Sequence, residues 1–331
     1  MIGRALLALA VMTSGGCRSE IQLGNPDSGS MRGPPTGTGV VPPRCPGVPS
    51  RAVVTVAESE WGELRGIAVG GGSVHALFAR GATREGVIAR VPTSGGALTE
   101  LARVGVDPSA LALGGDGAFV FAAARGSSQV FRVDRRGAAI VADAGGAPSA
   151  IVAEGRGGAL WALPSNDSIV GWDFANGGPS ALATSPRPSS LLRTDGTLYI
   201  TGNRSLRAFT PGIDAAPRSV ADHCDGAAPA IDGAVLYCAE AGAIARVDLA
   251  TGGASVVAAE QPGAGDLVLG AGRVFWRTAP SPGQALVMAL PLDGVGGPTV
   301  FESGGPGPLL IAVEGCDLYF TAGRSIVRRG L

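Results

Sequence analysis

Hydrophobic residues along this chain occur in short runs separated by turns rich in glycine. The clearest example is the stretch Pro108–Asp143, whose runs are Ser109–Leu113, Ala118–Ala124, Gln129–Asp134 and Ala138–Ala142. Each run has the length of a β-strand, and Gly-Asp-Gly, Arg-Gly-Ser and Arg-Arg-Gly lie between the runs. The pattern therefore predicts a unit of four strands joined by short turns.

The four-strand unit recurs along the chain at a regular period. A proline precedes the first strand of several units, namely Pro108, Pro148, Pro188 and Pro229, at spacings of 40, 40 and 41 residues. A glycine precedes the second strand of every unit: Gly72, Gly117, Gly158, Gly196, Gly233, Gly272 and Gly315. An apolar or aromatic step follows each glycine, from Val74-His75 in the first unit to Leu318-Tyr319 in the last. Seven units of about forty residues match the blades of a β-propeller, so we predict an all-β fold of this kind.

The two ends of the repeat region support this count. The last unit has three strand patterns, Leu309–Val313, Asp317–Thr321 and Ser325–Arg328, and no fourth. The segment Ala52–Ala57 precedes the first unit and has the pattern of a fourth strand. We therefore expect the N-terminal strand to complete the last blade, which would close the ring and protect strand edges.

Composition supports a folded β-rich protein without a nucleic-acid footprint. The 331 residues include 54 glycines and 24 prolines, yet 45% are hydrophobic, which argues against disorder. The formal net charge of −1 gives no basic patch of the size that nucleic-acid binding requires. No nucleic-acid partner is expected.

The first residues have the pattern of an export signal. Residues 1–16 combine Arg4, an apolar core from Ala5 to Met12, and small residues, and we interpret them as a signal peptide. The core is too short to span a membrane as a stable helix. Ser14-Gly15-Gly16-Cys17 resembles a bacterial lipobox, which implies cleavage before Cys17 and its lipidation, with ordinary secretion as the alternative. Ser19 resembles an outer-membrane sorting signal, and the alternative location is secreted or periplasmic.

Residues 17–50 are rich in proline, glycine and serine and show no periodicity, which predicts a flexible, lipid-anchored linker. Residues 51–331 then form the predicted propeller. Within it, steps such as Leu198-Tyr199, Leu318-Tyr319 and Leu160-Trp161 resemble the repeats of seven-bladed YWTD and NHL propellers, as found in envelope lipoproteins of GC-rich bacteria. The resemblance implies architecture rather than function, because such propellers include lyases, lactonases and binding scaffolds.

Four cysteines remain after Cys17, an even number that suggests two disulfides in an exported protein. Three pairings are possible. We favour Cys224–Cys238, within one unit, and Cys45–Cys316, which would join the linker to the unit that closes the ring. A zinc site is the alternative, but the cysteine spacing fits no zinc pattern.

Candidate chemistry lies in the loops between the fourth and first strands and between the second and third strands. In units four to six these loops contain a set of acidic residues and one histidine: Asp222, His223, Asp225, Glu240, Glu260 and Asp266. In units one and two they contain Arg80, Arg84, Glu85 and Arg125, so an acidic arc would oppose a basic one. These residues form either a site for a cation or polar ligand or a set of solvated loop charges, and we favour the second. His75 is interpreted as a packed strand residue rather than a base.

The sequence therefore favours a non-enzymatic, lipid-anchored propeller that acts as a binding or protein-interaction scaffold. Its expected partners are the membrane, through the lipid, and an envelope protein or small polar ligand. The alternative is a cation-dependent propeller lyase or hydrolase that uses His223 and nearby acids. No catalytic residue, cofactor or metal is assigned, because the chain has no nucleophile elbow, phosphate loop or nucleotide fingerprint.

Overall fold

The computed structural model describes Cys45 and residues 53–114, 117–134, 137–154, 158–172, 178–224, 227–305 and 309–331. The predicted signal peptide, the lipidation site Cys17 and nearly all of the predicted linker lie outside these residues. Asp225, one of the candidate site residues, also lies outside them.

The structure confirms the all-β propeller, since 28 strands form seven antiparallel sheets of four strands each, arranged as blades in a ring. The only helix among the described residues is a short 3-10 turn at Pro164–Asn166. The strands of the first half of the chain are β1 (Val54–Glu58), β2 (Glu63–Gly70), β3 (Ser73–Arg80), β4 (Glu85–Pro92), β5 (Thr99–Val106), β6 (Pro108–Gly114), β7 (Phe119–Ala124), β8 (Gln129–Asp134), β9 (Gly137–Asp143), β10 (Ala150–Ala153), β11 (Ala159–Leu163), β12 (Ser168–Trp172), β13 (Pro179–Thr184) and β14 (Ser190–Thr194). The second half contains β15 (Thr197–Gly202), β16 (Ser205–Phe209), β17 (Arg218–Ala221), β18 (Ala230–Asp232), β19 (Val235–Glu240), β20 (Ala243–Asp248), β21 (Ala254–Ala258), β22 (Gly265–Gly270), β23 (Arg273–Ser281), β24 (Gln284–Pro291), β25 (Thr299–Gly305), β26 (Ile311–Glu314), β27 (Asp317–Ala322) and β28 (Ser325–Gly330).

Blades 1 to 6 are each built from four consecutive strands, starting with β2–β5 as blade 1 and ending with β22–β25 as blade 6. Blade 2 coincides with the stretch from which the repeat was recognised, and its third strand, Gln129–Asp134, has the predicted bounds. The other three strands of blade 2 differ from the prediction by one residue at one end or at both ends. Short turns therefore define the blades as the sequence pattern indicated.

The ring closes through the N-terminal strand, as predicted. Blade 7 has the order β1-β28-β27-β26, so β1 is its fourth strand. The pairing is antiparallel, with Val54 opposite Arg328 and Glu58 opposite Ser325. Cys45 is bonded to Cys316, at the turn between β26 and β27, with a Cα–Cα distance of 5.7 Å. The described chain is thus joined end to end by strand pairing and by a covalent bond.

The hydrophobic core lies between neighbouring blades rather than at one centre. Between blades 1 and 2, for example, Leu77 and Ile88 pack against Val120 and Phe131. Alternate residues of each second strand face opposite neighbours, so β3 also packs Val74 against blade 7. This explains why the second strands are buried and apolar on both faces.

The antiparallel order gives the ring two distinct faces. We call the end with the fourth-to-first and second-to-third connections the loop face, and the end with the first-to-second and third-to-fourth connections the hairpin face. Among the described residues, no helix is both long and apolar enough to cross a bilayer. Two disulfides, Cys45–Cys316 and Cys224–Cys238, indicate an oxidising, extracytoplasmic environment.

Candidate functional site

The structure brings two of the candidate residues on the loop face into direct contact. His223 lies in the connection between β17 and β18, and Glu240 ends β19. The Nδ1 atom of His223 is 2.7 Å from one carboxylate oxygen of Glu240 and 2.9 Å from the other. The His223 side chain is 39% exposed and that of Glu240 only 16%, so the imidazole covers the carboxylate and retains access to solvent.

A disulfide holds this pair in place. Cys224, directly after His223, is bonded to Cys238, two residues before Glu240, with a Cα–Cα distance of 5.3 Å. Both cysteines are fully buried between blades 4 and 5. The bond therefore joins the loop that carries His223 to the strand that carries Glu240, and it restricts the movement of one relative to the other.

The contact between His223 and Glu240 determines which imidazole nitrogen is available to a ligand. In the neutral imidazole, Nδ1–H donates to Glu240, and the lone pair is then on Nε2. A carboxylate on one ring nitrogen fixes the orientation of the ring and leaves the other nitrogen available for hydrogen bonding to a ligand. Among the described residues of this face, the pair is therefore a group with defined hydrogen-bonding chemistry.

The remaining acidic candidates do not join this pair. Asp222 is exposed beside His223, and Glu260 is exposed in the connection between blades 5 and 6. Asp266 is engaged elsewhere, since its Oδ2 atom accepts a hydrogen bond of 2.9 Å from Nε of Arg277. Within the part of the chain that the structure describes, no group of three His, Cys, Asp or Glu side chains could hold a metal ion.

Two arginines of the expected basic arc in blades 1 and 2 are paired with local acids. Arg84 lies 2.9 Å from Asp107, and Arg80 lies 3.7 Å from Glu100. Glu85 is in turn 3.5 Å from Arg103. Arg125, the remaining arginine of this set, is exposed and forms no ion pair among the described residues, so the expected arc is neutralised only in part.

An ion pair between the first strands of two neighbouring blades, the innermost strands of the ring, was not predicted from the sequence. Arg193 on β14 contacts Glu154, which directly follows β10 on the neighbouring blade. Burial lowers the pKa of Arg193 below its usual value, without bringing it into the physiological range. A charged residue at corresponding ends of two consecutive first strands was the signal available in the sequence.

His75 is a packed strand residue, as expected. It lies on β3 with a side chain that is 3% exposed. Burial, and to a smaller extent the nearby Arg90, lowers the pKa of His75 to about 4. The imidazole is therefore neutral at physiological pH.

Comparisons with known proteins identify the architecture only. No protein-family profile matches the chain, and no curated protein matches it. Among solved structures, virginiamycin B lyase from Staphylococcus aureus is 16% identical, with a TM-score of 0.65, over 85% of this chain and 98% of that chain. A structure of YCF48 bound to D1 peptide is 12% identical, with a TM-score of 0.62, over 85% of this chain and 96% of that chain.

A third similar structure is the nidogen/laminin complex, at 15% identity and a TM-score of 0.52, over 73% of this chain and 92% of that chain. The three similar structures thus include a lyase and propellers in complex with a peptide or a protein. At such low identity the likeness extends to the fold and not to the chemistry of a site.

Proposed function

We propose that this protein is a non-enzymatic, extracytoplasmic propeller that serves as a binding scaffold through its loop face. The observation that carries the proposal is the pairwise engagement of the charged candidates. Glu240 is bound to His223 and Asp266 to Arg277, so two of the acids are held in separate pairs. A rigid face with fixed hydrogen-bonding groups suits recognition of an envelope protein or a small polar ligand.

We further propose that Cys17 carries a lipid and anchors the protein to the outer membrane. The lipobox-like residues before Cys17 and the serine at position 19 support this assignment. The linker would then let the propeller stand away from the bilayer. Cys45, near the end of the linker, is bonded to blade 7, so the tether joins the ring at its closing blade.

The anchor is tested by labelling cells with radioactive palmitate and separating membranes from soluble fractions. The full-length protein should incorporate label and sediment with membranes, and Cys17→Ser should do neither. Cys224→Ser is the matched control, since it also removes a cysteine sulfur and should leave labelling unchanged. A Cys17→Ser protein that still incorporates palmitate would contradict the assignment.

A second candidate function is a cation-dependent propeller lyase or hydrolase, and the His223–Glu240 contact favours it. A carboxylate-held imidazole on an exposed loop face is a common form of general base. The likeness to virginiamycin B lyase adds only that this fold can support a lyase. His223 would be the base, and exposed acids such as Asp222 would have to hold the cation.

Cation titration separates the two functions. The melting temperature of the full-length protein is followed during addition of Mg²⁺, Ca²⁺, Mn²⁺ or Zn²⁺, because a ligand of the folded state raises it with the logarithm of ligand excess. The scaffold proposal expects no saturable rise. A rise that disappears in Asp222→Ala but persists in Asp293→Ala, an exposed control in another turn, would favour the enzyme. If an activity is then found and His223→Ala retains it, the enzyme hypothesis fails.

A further inference from the structure

In each blade, one position of the second strand faces the next blade. In six of the seven blades this position carries an aromatic or imidazole side chain. Strand pairing and packing identify these residues as His75, Phe121, Tyr199, Tyr237, Phe275 and Tyr319, with Leu160 in blade 3. Tyr319, for example, packs against Val74 of blade 1, and Tyr237 against Leu267 of blade 6. His75 therefore occupies an aromatic position of the repeat.

In four blades the ring has an arginine directly opposite it on the third strand. The pairs are His75 with Arg90, Phe121 with Arg132, Tyr237 with Arg246, and Tyr319 with Arg328. In blades 5 and 7 burial raises the pKa of the tyrosine hydroxyl, and the guanidinium of the arginine opposite it, which lies close to the hydroxyl, opposes that rise. An imidazole has no hydroxyl at that distance from the backbone, and across the described residues the side chain of Arg90 makes no hydrogen bond or ion pair.

The cleft beside His75 in blade 1 is larger than the corresponding cleft beside Tyr237 in blade 5. The cleft between blades 1 and 2 has a volume of about 680 Å³ and is lined by His75, Arg90, Glu100 and Asp134, together with backbone at Gly71 and Gly117. The corresponding cleft between blades 5 and 6, lined by Tyr237 and Arg246, has a volume of about 380 Å³. Nδ1 of His75 is buried and has no hydrogen-bond partner among the described residues.

The charges around the cleft leave one guanidinium uncompensated. Glu100 is held by Arg103, whose Nε is 3.0 Å from its Oε1 atom, and by Arg80 at 3.7 Å. Asp134 lies 3.9 Å from Arg132, which also stacks over the ring of Phe119 at 4.8 Å from its centroid. His75 is neutral because of its burial and its proximity to Arg90. Arg90 is thus the free charge of this cleft, and it lies next to an unsatisfied imidazole.

We propose that the cleft between blades 1 and 2 binds a small oxyanion, a carboxylate or a phosphate, through the guanidinium of Arg90, with the His75 imidazole as a neutral hydrogen-bonding partner. A guanidinium fork matches two oxygens of either group. The cleft opens on the hairpin face, at the opposite end of the blades from the His223–Glu240 pair. The site is therefore independent of the function proposed for the loop face.

The two histidines of the chain allow a direct test. Imidazole resonances of the full-length, oxidised protein are followed by NMR during titration with sodium phosphate, sodium succinate or, as an ionic-strength control, sodium chloride. Phosphate or succinate should shift the His75 signals saturably and leave the His223 signals unchanged. A shift with phosphate alone would indicate a phosphate ligand, and a shift with succinate alone would indicate a carboxylate ligand. No saturable shift of His75 with either anion up to about 50 mM would overturn the proposal, because weaker binding has no useful specificity.

Two variants test the named groups. Arg90→Gln, at an exposed position, should weaken the binding by about ten-fold or more, since a charge-assisted hydrogen bond is lost. Arg246→Gln, the matched change in blade 5, should alter it by less than about two-fold. Equal affinity in wild type and Arg90→Gln would contradict the proposal.

His75→Tyr restores the residue found at this position in blades 4, 5 and 7. The new hydroxyl should engage Arg90 and fill part of the cleft, so saturable anion binding, followed by calorimetry, should disappear while the protein remains folded. Persistent binding in this variant would also contradict the proposal. If the variant does not fold, the Arg90→Gln result alone decides.

Discussion

Ser109 Oγ donates a hydrogen bond of 2.8 Å to the carbonyl oxygen of Pro148, and this bond joins blade 2 to blade 3. The same relationship recurs one blade further, where Ser149 Oγ donates to Pro188 at 3.2 Å. Both bonds use the Pro-Ser dipeptide that marks the start of a first strand. The periodic proline of the sequence therefore contributes an acceptor that neighbouring blades share.

Removing one of these hydroxyls should loosen a blade interface. We expect Ser109→Ala to lower the free energy of unfolding by about 1 kcal/mol, because the partly buried carbonyl loses its donor. Urea denaturation measures the change. Ser281→Ala, which removes an exposed hydroxyl bonded to Gln284, should change stability by less than about 0.5 kcal/mol. Equal effects of the two substitutions would show that the inter-blade bond contributes nothing.

The Cys45–Cys316 bond should stabilise the ring closure. It spans 271 residues, and a loop of that length corresponds to about 5.6 kcal/mol in the chain-entropy description, before any strain is subtracted. We expect Cys45→Ser, Cys316→Ser and the double variant to lower the melting temperature equally, because all three break one bond. Calorimetry checks this.

The two disulfides can be separated in the same experiment. Reduction of the wild type should lower the melting temperature further than Cys45→Ser does, since it also opens Cys224–Cys238. A reduced wild type that melts like the oxidised protein would show that neither bond stabilises the fold.

The buried His75 should make stability depend on pH. Its pKa is about 4 in the folded protein and about 6.5 in the unfolded chain, so between these values the unfolded chain binds more protons. Its contribution is therefore fully present above about pH 6.5 and is lost as pH falls to about 4, by about 3 kcal/mol in total.

Comparison with His75→Phe isolates this contribution, since Phe occupies the position in blades 2 and 6. Unfolding by urea at about pH 7 and pH 4.5 should show a smaller loss of stability in the variant. His223→Gln, at the half-exposed histidine, serves as the control. Identical pH dependence of wild type and His75→Phe would contradict the lowered pKa.

The Glu154–Arg193 pair should stabilise the innermost layer of strands. Glu154→Gln leaves a partly buried guanidinium without its counter-charge, and we expect a loss of about 1–2 kcal/mol in urea denaturation. Glu63→Gln, which disrupts an exposed pair with Arg65 at 2.7 Å, should change stability by less than about 0.5 kcal/mol. A double change of Glu154 and Arg193 to Gln that is as unstable as the single one would indicate that the two charges do not interact.

The site was only partly predictable, because loop contacts are not periodic. The sequence identified His223 and Glu240 as members of one set of six candidates, but not as partners. Their contact depends on the loop between blades 4 and 5 folding over the end of β19, with Cys224 bonded to Cys238. The same set suggested that Asp266 belonged to this site, whereas the structure pairs it with Arg277.

The aromatic position of the second strands could likewise not be assigned from the sequence. The apolar or aromatic step that follows the turn glycine is Phe119-Val120 in blade 2 and Val235-Leu236 in blade 5. Strand register places the equivalent rings at Phe121 and Tyr237 instead. A shift of one residue moves a side chain to the opposite face of a strand, so turn spacing alone could not assign these positions.

The sequence by itself determined the number of blades, the strands of each blade and the closure by β1. These features follow from local alternation, turn residues and a repeat period, all of which are written along the chain. Only the tertiary structure decided which charges pair, which ring faces which arginine, and where a cleft remains between blades. Those outcomes depend on side chains from different blades that meet only after the ring has closed.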